Sequence, residues 1–449
     1  MKDRGWRSGF SAIRRPPSVS LAAFYAATFY LISGLKSVSF TSMEQNKRKA
    51  FHLILLFGLV SLFGDIIYEG ARSVNGPYLK VLGANALVVG FIAGLGEFMG
   101  YGIRLLSGYF SDKTKSYWFF TILGYALLIS VPLLALTGFW KIAALLIVME
   151  RIGKAIRSPA KDTILSQATK QVGTGFGFGL NEAMDQIGAI IGPLLFMVAF
   201  MGTAQAEKGL RDYQAGYHLL WLPFFFLMAC VLFAYWKTPN PEILETSVIK
   251  NESEKLPKIF WLYTAFSFFA TAGFISFVLM AYHFKAQHVL SDAQIPLFYA
   301  VAMAVDGVAA LVIGKLYDRM KEKQKHEWAG IGTLLMIPVL SAVIPFLCFT
   351  TTAWIVIVSI ILWGIVMAGH ETIMKSAIAD ITPLKKRGTG YGILNVAYGL
   401  AMLLGGVVMG FLYDRSLPTL MIGVAVLELI SLPFFFAMKK EVANTASPQ

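Results

Sequence analysis

Asp65 and Glu69 stand four residues apart inside a long apolar run, Ser61-Leu-Phe-Gly-Asp65-Ile-Ile-Tyr-Glu69. At helical spacing they share a face. Two carboxylates on one face in hydrocarbon repel when both ionise, so one of them tends to keep a proton. Such a pair can load and release a proton, or contact a solute. The structural alternative is that one of them pairs with Arg72 at the mouth of the helix. Glu97, Glu150, Arg151, Asp185 and Asp306 also fall within apolar runs. At about 1.5 Å per residue, Glu97 lies roughly 20 Å and the Glu150–Arg151 pair roughly 14 Å into their runs. A charge near a bilayer centre costs at least ~2.5–3.5 kcal/mol, so each is a candidate for solute or proton contact. The competing reading is ion pairing that holds helices together.

Lys154, Arg157 and Lys161 continue from Glu150 at spacings of four, three and four. That stripe could attract an anionic solute, or form a gate with Asp112 and Asp162. His370 and Glu371 make a further titrating pair near a span end, where gating or simple solvation is expected.

These residues need helices that cross a membrane. The chain has 449 residues, 56% hydrophobic and only 14% charged, with a mean hydropathy of +0.63. Its apolar residues come in continuous runs of about 20, the length that crosses ~30 Å of hydrocarbon. Only helices or closed barrels can span there, and runs without alternation select helices. Twelve spans are expected: 50–71, 84–110, 117–138, 141–165, 175–202, 216–236, 259–284, 293–316, 328–350, 352–379, 388–413 and 417–438. The expected class is an all-α polytopic membrane protein with two six-helix bundles, 43–236 and 259–440. A polar linker at 237–258 joins them and a tail at 441–449 follows. Residues 1–42, with four arginines and a short apolar run, are expected to be a leader or upstream extension outside the fold.

The net charge is +13. About twenty lysines and arginines fall on one side of the spans and about seven on the other. That bias puts both termini in the cytoplasm and explains the charge without nucleic acid. Trp118, Trp140, Trp221, Trp236, Trp328 and Trp354 fall near span ends, as an interfacial belt does. Gly90–Gly102 and Gly399–Gly410 read as small-residue faces for close helix approach. Neither has the Gly-Lys-Ser/Thr ending of a phosphate loop. Six scattered histidines and two cysteines give no metal or catalytic cluster, so neither cofactor nor metal is expected.

The two halves repeat. Gly108-Tyr-Phe-Ser-Asp112-Lys113 closes the second span and Gly314-Lys-Leu-Tyr-Asp318-Arg319 the eighth. Gly173-Thr-Gly-Phe-Gly177 opens the fifth and Gly388-Thr-Gly-Tyr-Gly392 the eleventh. Parallel six-span repeats are a transporter architecture.

On these motifs the sequence resembles the major facilitator superfamily, over nearly all of Met43–Lys440. Gly108–Lys113 is similar to the signature loop between helices 2 and 3, and Gly314–Arg319 to its second copy. The first copy departs downstream, with Lys115-Ser116-Tyr117 where a glycine and two basic residues are usual. Gly188-Ala-Ile-Ile-Gly192-Pro193 is similar to the helix-5 pattern of antiporters, although Phe196 and Met197 replace its second glycine pair. The segments around Asp65 and Arg151–Asp162 resemble a bacterial subgroup of general permeases. The resemblance implies alternating access by rocking of the halves. It also implies that Asp112 pairs near the start of helix 11 when the cytoplasmic side closes. The expectation is therefore a secondary transporter of a small organic solute in a bacterial inner membrane. It would act as a monomer and most simply as a proton-coupled exporter, with uptake by symport as the alternative. A transporter-like sensor or assembly protein without flux is the alternative of another class.

Overall fold

The computed structural model describes residues 45–202, 207–239, 256–324, 327–382 and 387–446. Contacts divide the chain into Met1–Arg48 and Lys49–Gln449. Of the first unit only 45–48 are described, as the opening turn of α1. The leader expected over 1–42, and residues 240–255 of the expected linker, lie outside the described residues.

The described chain is helical, without a strand. Its first six spans are α1 (Gln45–Val81), α2 (Ala86–Thr114), α3 (Tyr117–Leu136), α4 (Trp140–Val172), α5 (Thr174–Met201) and α6 (Leu210–Lys237). The next are α7 (Lys258–Ala286), α8 (Gln294–Gln324) and α9 (Gly330–Cys348). α10 begins as Ala353–Ala368, and α11 (Arg387–Arg415) and α12 (Leu417–Ala446) complete the set. Eleven of these are long and apolar enough to cross a membrane. The exception is α4, because it carries Lys141, Glu150, Arg151, Lys154, Arg157, Lys161, Asp162 and Lys170. Its 33 residues are ample for crossing, so its charges must find partners on neighbouring helices.

Several elements differ from the hydropathy reading. α1 does not stop near residue 71 but runs to Val81, through Pro77. Arg72 is therefore buried within the helix rather than placed at its mouth. α7 is broken: Lys258–Ala272 and Phe277–Ala286 flank the irregular residues 273–276. Ser276 restarts the helix by accepting a hydrogen bond from the Leu279 N–H at its hydroxyl. α10 passes through a π turn at Gly369–Ile373 and continues as Met374–Ile381. His370 lies in that turn, buried and stacked 4.7 Å from Phe274, so the solvated histidine expected near a span end is corrected. Trp118 is likewise no belt residue. It is buried and donates to the Thr238 carbonyl at the end of α6.

The first and last six helices meet chiefly through α2 against α11. The two glycine stretches face each other there. A side chain at Gly90 would overlap the Gly406 carbonyl, and one at Gly94 would sit 2.7 Å from that of Met402. Gly76 of α1 approaches Val278 of α7 as closely. Without Cβ atoms these backbones come within reach of dispersion contacts that larger residues forbid. At this end Asp414 of α11 accepts from the Ala86 and Leu87 N–H groups, at 3.2 and 2.9 Å, and so caps α2. A carboxylate on a helix N-terminus satisfies orphan donors and complements the dipole. At the opposite end α2 and α11 diverge. A cavity of about 680 Å³ opens between α2, α4 and the start of α11.

Gly406→Val should force α11 away from α2, since overpacking of this kind costs about 1–3 kcal/mol. In a background lacking Cys230 and Cys348, a cysteine at position 276 should then become reactive to a membrane-impermeant maleimide. Equal reactivity with and without the valine would contradict closure by this contact.

Candidate functional site

Three helices bring five charged groups together midway along the bundle. Arg151 of α4 places Nη1 3.1 Å from Oε1 of Glu97 on α2, and Nε 3.3 Å from Glu150 Oε2. Arg72 of α1 lies 3.5 Å from the same Glu97 oxygen and 3.6 Å from Glu69 Oε1. Tyr68 sits among the cations. Arg151 donates to its hydroxyl, and the Arg151 guanidinium and Lys154 ammonium lie 4.4 and 3.9 Å from its ring centre. With Lys154 counted, three carboxylates face three cations. Local spacing explains part of this: Glu69 and Arg72 are one turn apart, as are Tyr68 and Arg72. One bond crosses to the last six helices, where Tyr299 of α8 donates to Glu69 Oε2.

Asp65, one turn from Glu69, faces a second group. Lys161 Nζ donates to Ser61 Oγ at 3.2 Å, Ser61 donates to Asn181 Oδ1 at 2.8 Å, and Asn181 donates to Asp185 Oδ2 at 2.9 Å. Asp65, Lys154, Arg157, Lys161 and Asp185 line a cavity of about 100 Å³. That is room for a few waters at ~30 Å³ each. Arg157 is buried 4.7 Å over the Tyr125 ring. The helix-5 glycines set this geometry. A side chain at Gly188 would meet the Leu62 carbonyl at 2.5 Å, and one at Gly192 the Gly70 nitrogen at 2.8 Å. With Pro193 following inside α5, they press α5 against α1 and bring Asp185 towards Asp65.

The seven candidate cavity residues therefore do not form one constellation. Glu69, Glu97, Glu150 and Arg151 share the ion network. Asp65 and Asp185 share the second group. Asp306 stands apart on α8, buried, with Gln186 of α5 packed on the adjacent Gly307 and with no ion pair among the described residues.

The signature-loop residues lie at the open end. Gly108, Asp112, Asp162, Thr389, Tyr391 and Gly392 line the 680 Å³ cavity. Asp112 is exposed and accepts from the Tyr117 hydroxyl at 3.2 Å; Lys113 is exposed beside Tyr109. Arg157 and Lys161 turn inward to Tyr125 and Ser61, so no ion pair joins them to Asp112. In the second copy, Asp318 and Arg319 are exposed and Gly314 packs near Thr372. The bonds to α10 come instead from Tyr317 and Lys321, each 2.7 Å from Asp380 Oδ2.

Sequence reasoning missed the closed end, and in the last six helices it singled out Asp306 but not Lys285, Asp292 or Glu428. Lys285, Asp292, Asp306 and Glu428 are 6%, 4%, 3% and 1% exposed. Lys285 Nζ lies 2.7 Å from Asp292 Oδ2 and donates to the Lys208 carbonyl. Asp292 also accepts from the Lys208 N–H, just before α6, and from the Tyr213 hydroxyl on α6, both in the first half of the chain. The available signal was a lysine and an aspartate seven apart across a short loop, counted only as loop charge.

The family profile described as Major Facilitator Superfamily matches residues 62–338 and 324–449. The chain belongs to that superfamily and is a multi-pass membrane transporter. An uncharacterized protein of Mycobacterium tuberculosis is 38% identical over 399 residues, covering 87% of this chain and 93% of its own. An uncharacterized MFS-type transporter of Methanocaldococcus jannaschii is 24% identical over 397 residues, covering 86% and 95%. Among solved structures, a bacterial homologue of the human lysosomal transporter Spinster, inward-facing and unoccupied, has a TM-score of 0.67 at 14% identity, covering 90% of this chain and 99% of its own. A nucleoside transporter has a TM-score of 0.62 at 14% identity, covering 86% and 98%. At these identities the solved structures show the fold alone.

Arg151→Met should leave Glu150 and Glu97 underpaired, and removing one member of a buried ion pair costs about 3–5 kcal/mol. A clear fall in apparent melting temperature in detergent is expected, partly restored by adding Glu97→Gln. A single substitution that melts with the parent would show that the network does not hold α1, α2 and α4 together.

Proposed function

We propose that the chain is a proton-coupled exporter of a small organic solute, acting as a monomer by alternating access in a bacterial inner membrane. The excess of basic residues on the Asp112 side supports placing that side, and both termini, in the cytoplasm. The described conformation is then open inward and closed outward.

The observation that carries the reading is Glu69. It pairs with Arg72 inside the first six helices and accepts a hydrogen bond from Tyr299 of the last six. A proton arriving on Glu69 weakens its hold on Arg72, and separation of α1 from α8 removes the Tyr299 donor. One carboxylate thus answers both to protonation and to the relative position of the halves. Asp65 and Asp185, with the three cations around them, offer an adjoining group whose net charge changes with each proton. Glu97, held by two arginines, borders a void of about 30 Å³ between α1, α2, α4, α7 and α11. We assign that void as the outer end of the solute path, shut in this state.

At the open end, Asp112 and Asp162 face the first turns of α11 across the large cavity. Rocking that closes this cavity would bring Asp112 towards the α11 N-terminus, where a carboxylate is favoured. Breaking the Asp414 cap and the Lys285–Asp292 cluster at the other end would accompany it. Export is supported by the helix-5 pattern at Gly188–Pro193. It is also supported by 26% identity over 164 residues to a class H tetracycline resistance protein of Pasteurella multocida, covering 35% of this chain and 40% of its own.

Purified protein in liposomes with an imposed pH gradient should move protons when a transported solute is added, in the direction opposite to the solute. Asp65→Asn and Glu97→Gln should abolish that movement. Asp112→Ala should lower turnover while leaving the yield of folded protein unchanged. Solute flux that persists without proton movement, or that is untouched by the first two substitutions, would rule out coupling through this site.

A further inference from the structure

Glu428, midway along α12, is 1% exposed, and neither of its carboxylate oxygens has a hydrogen-bond partner among the described residues. No salt bridge reaches it among the described residues. Its neighbours are Gly273, at the break in α7, and Ser341 of α9, whose buried hydroxyl also has no partner. A side chain at Gly273 would sit 2.5 Å from Glu428 Oε1, so the carboxyl group occupies the space the glycine leaves.

No charged or titratable group on the helices around it bonds to its carboxylate oxygens among the described residues, and several are engaged elsewhere. On α7, Lys258 pairs with Glu441, Tyr263 donates to the Met374 carbonyl, His283 bonds Tyr413 of α11, and Lys285 binds Asp292. On α11, Tyr398 reaches His370 and Asp414 caps α2. α9 contributes only Cys348, buried near its own end. An ionised carboxylate here would have no counter-ion, and no donor beyond the neighbouring Ser341 hydroxyl, in hydrocarbon. The neutral acid fits the site.

The α7 break touched by Glu428 is tied to the rest of the molecule. Trp363 of α10 donates to the Ile275 carbonyl within it. Phe277, the first residue after it, packs its ring 4.4 Å from that of Tyr299, the donor to Glu69. Val278, one residue on, meets Gly76 of α1 at the closed end.

We propose that Glu428 is a proton-binding site of the last six helices, filled while α7 packs as it does here and emptied when the α7 break opens. The site lies outside the solute path assigned above and needs no contact with a solute. One hydroxyl does not solvate a carboxylate, so its ionised form requires water or further donors, which the irregular backbone of residues 273–276 beside it can supply. Ionisation therefore favours loosening of α7, and with it the α1–α7 contact that closes the outer end.

The test uses the full chain in vesicles of phosphatidylethanolamine and phosphatidylglycerol. Dicyclohexylcarbodiimide adds to protonated carboxyl groups in apolar surroundings, and mass spectrometry locates the adduct. Glu428 should be labelled, equally with and without sodium ions, and the corresponding peptide of Glu428→Gln should not. No label on Glu428 would overturn the proposal, and so would label abolished by sodium, which would make the site one for a metal cation. These readings need neither solute nor gradient, so they stand apart from the coupled-export reading. In the second arm, a cysteine at position 276, in the background lacking Cys230 and Cys348, is labelled across pH with and without Glu428→Gln, so that the thiolate's own pH dependence is common to both and cancels in the ratio of the two rates. That ratio should rise with pH in favour of the chain that keeps Glu428, by up to about tenfold per pH unit below half-ionisation. A ratio that stays constant with pH would overturn the link to α7, and one that rises would support it.

Discussion

Arg151 reaches from α4 to Glu97 on α2, to Tyr68 on α1 and to its own neighbour Glu150. In hydrocarbon those contacts are compulsory, because an unpaired guanidinium or carboxylate there has no water to turn to. α4 is too charged to be stable in a membrane by composition, and it crosses because three neighbouring elements neutralise it. The mutual dependence runs the other way too. α1 continues to Val81, past Arg72, only because Glu69 and Glu97 receive that arginine. The network thus links α1, α2 and α4 and holds three of the carboxylates on which the proposed proton coupling rests. A buried ion cluster adds little net stability over an apolar core. Its retention at the centre of a transporter fold accords with a role in the transport cycle.

Around this rigid centre the contacts between the halves are of a different kind. The α2–α11 seam is glycine against glycine, and its end is sealed by Asp414 on the α2 N-terminus. The second seal gathers Asp292, Lys285, the Lys208 backbone and Tyr213 into one buried knot. Both seals are small and polar or backbone-mediated. They can be exchanged for solvent without exposing a large apolar face, which a rocking motion demands. In the proposed cycle α7 would supply the local hinge, since its break at 273–276 leaves backbone groups satisfied by Trp363 and Ser276 rather than by a continuous helix.

The fold was largely legible because hydropathy is a direct readout of a bilayer-spanning helix. Paired motifs such as Gly108–Lys113 and Gly314–Arg319 gave the repeat. The two glycine stretches were read as close-packing faces, and each proved to be the other's partner. What failed had physical causes. Arg72 looked like a helix terminus because a charge normally ends an apolar run; its partners lie 25 residues and more away along the chain, on α2, or within the same helix. Asp292 and Lys285 looked like loop charges because burial between halves leaves no periodic trace. Glu428 passed unnoticed as a single acid in an apolar run, although the depth argument applied to Asp306 would have found it. The π turn at His370 and the break in α7 carry no strong breaker beyond Gly273 and Gly369, so pattern alone could not place them.

The central claim is that two six-helix units rock about a neutral buried network, exchanging closure at one end for closure at the other. Pulsed electron–electron distance measurements between spin labels test it most directly. One label pair would sit at the Asp112 end, at Tyr109 and Ile393, and the other at the Asp414 end, at Leu82 and Arg415. Across a range of pH in lipid nanodiscs, the two distances should change together with opposite sign: as the first shortens, the second lengthens. Distances that stay fixed, or that lengthen together, would contradict the account.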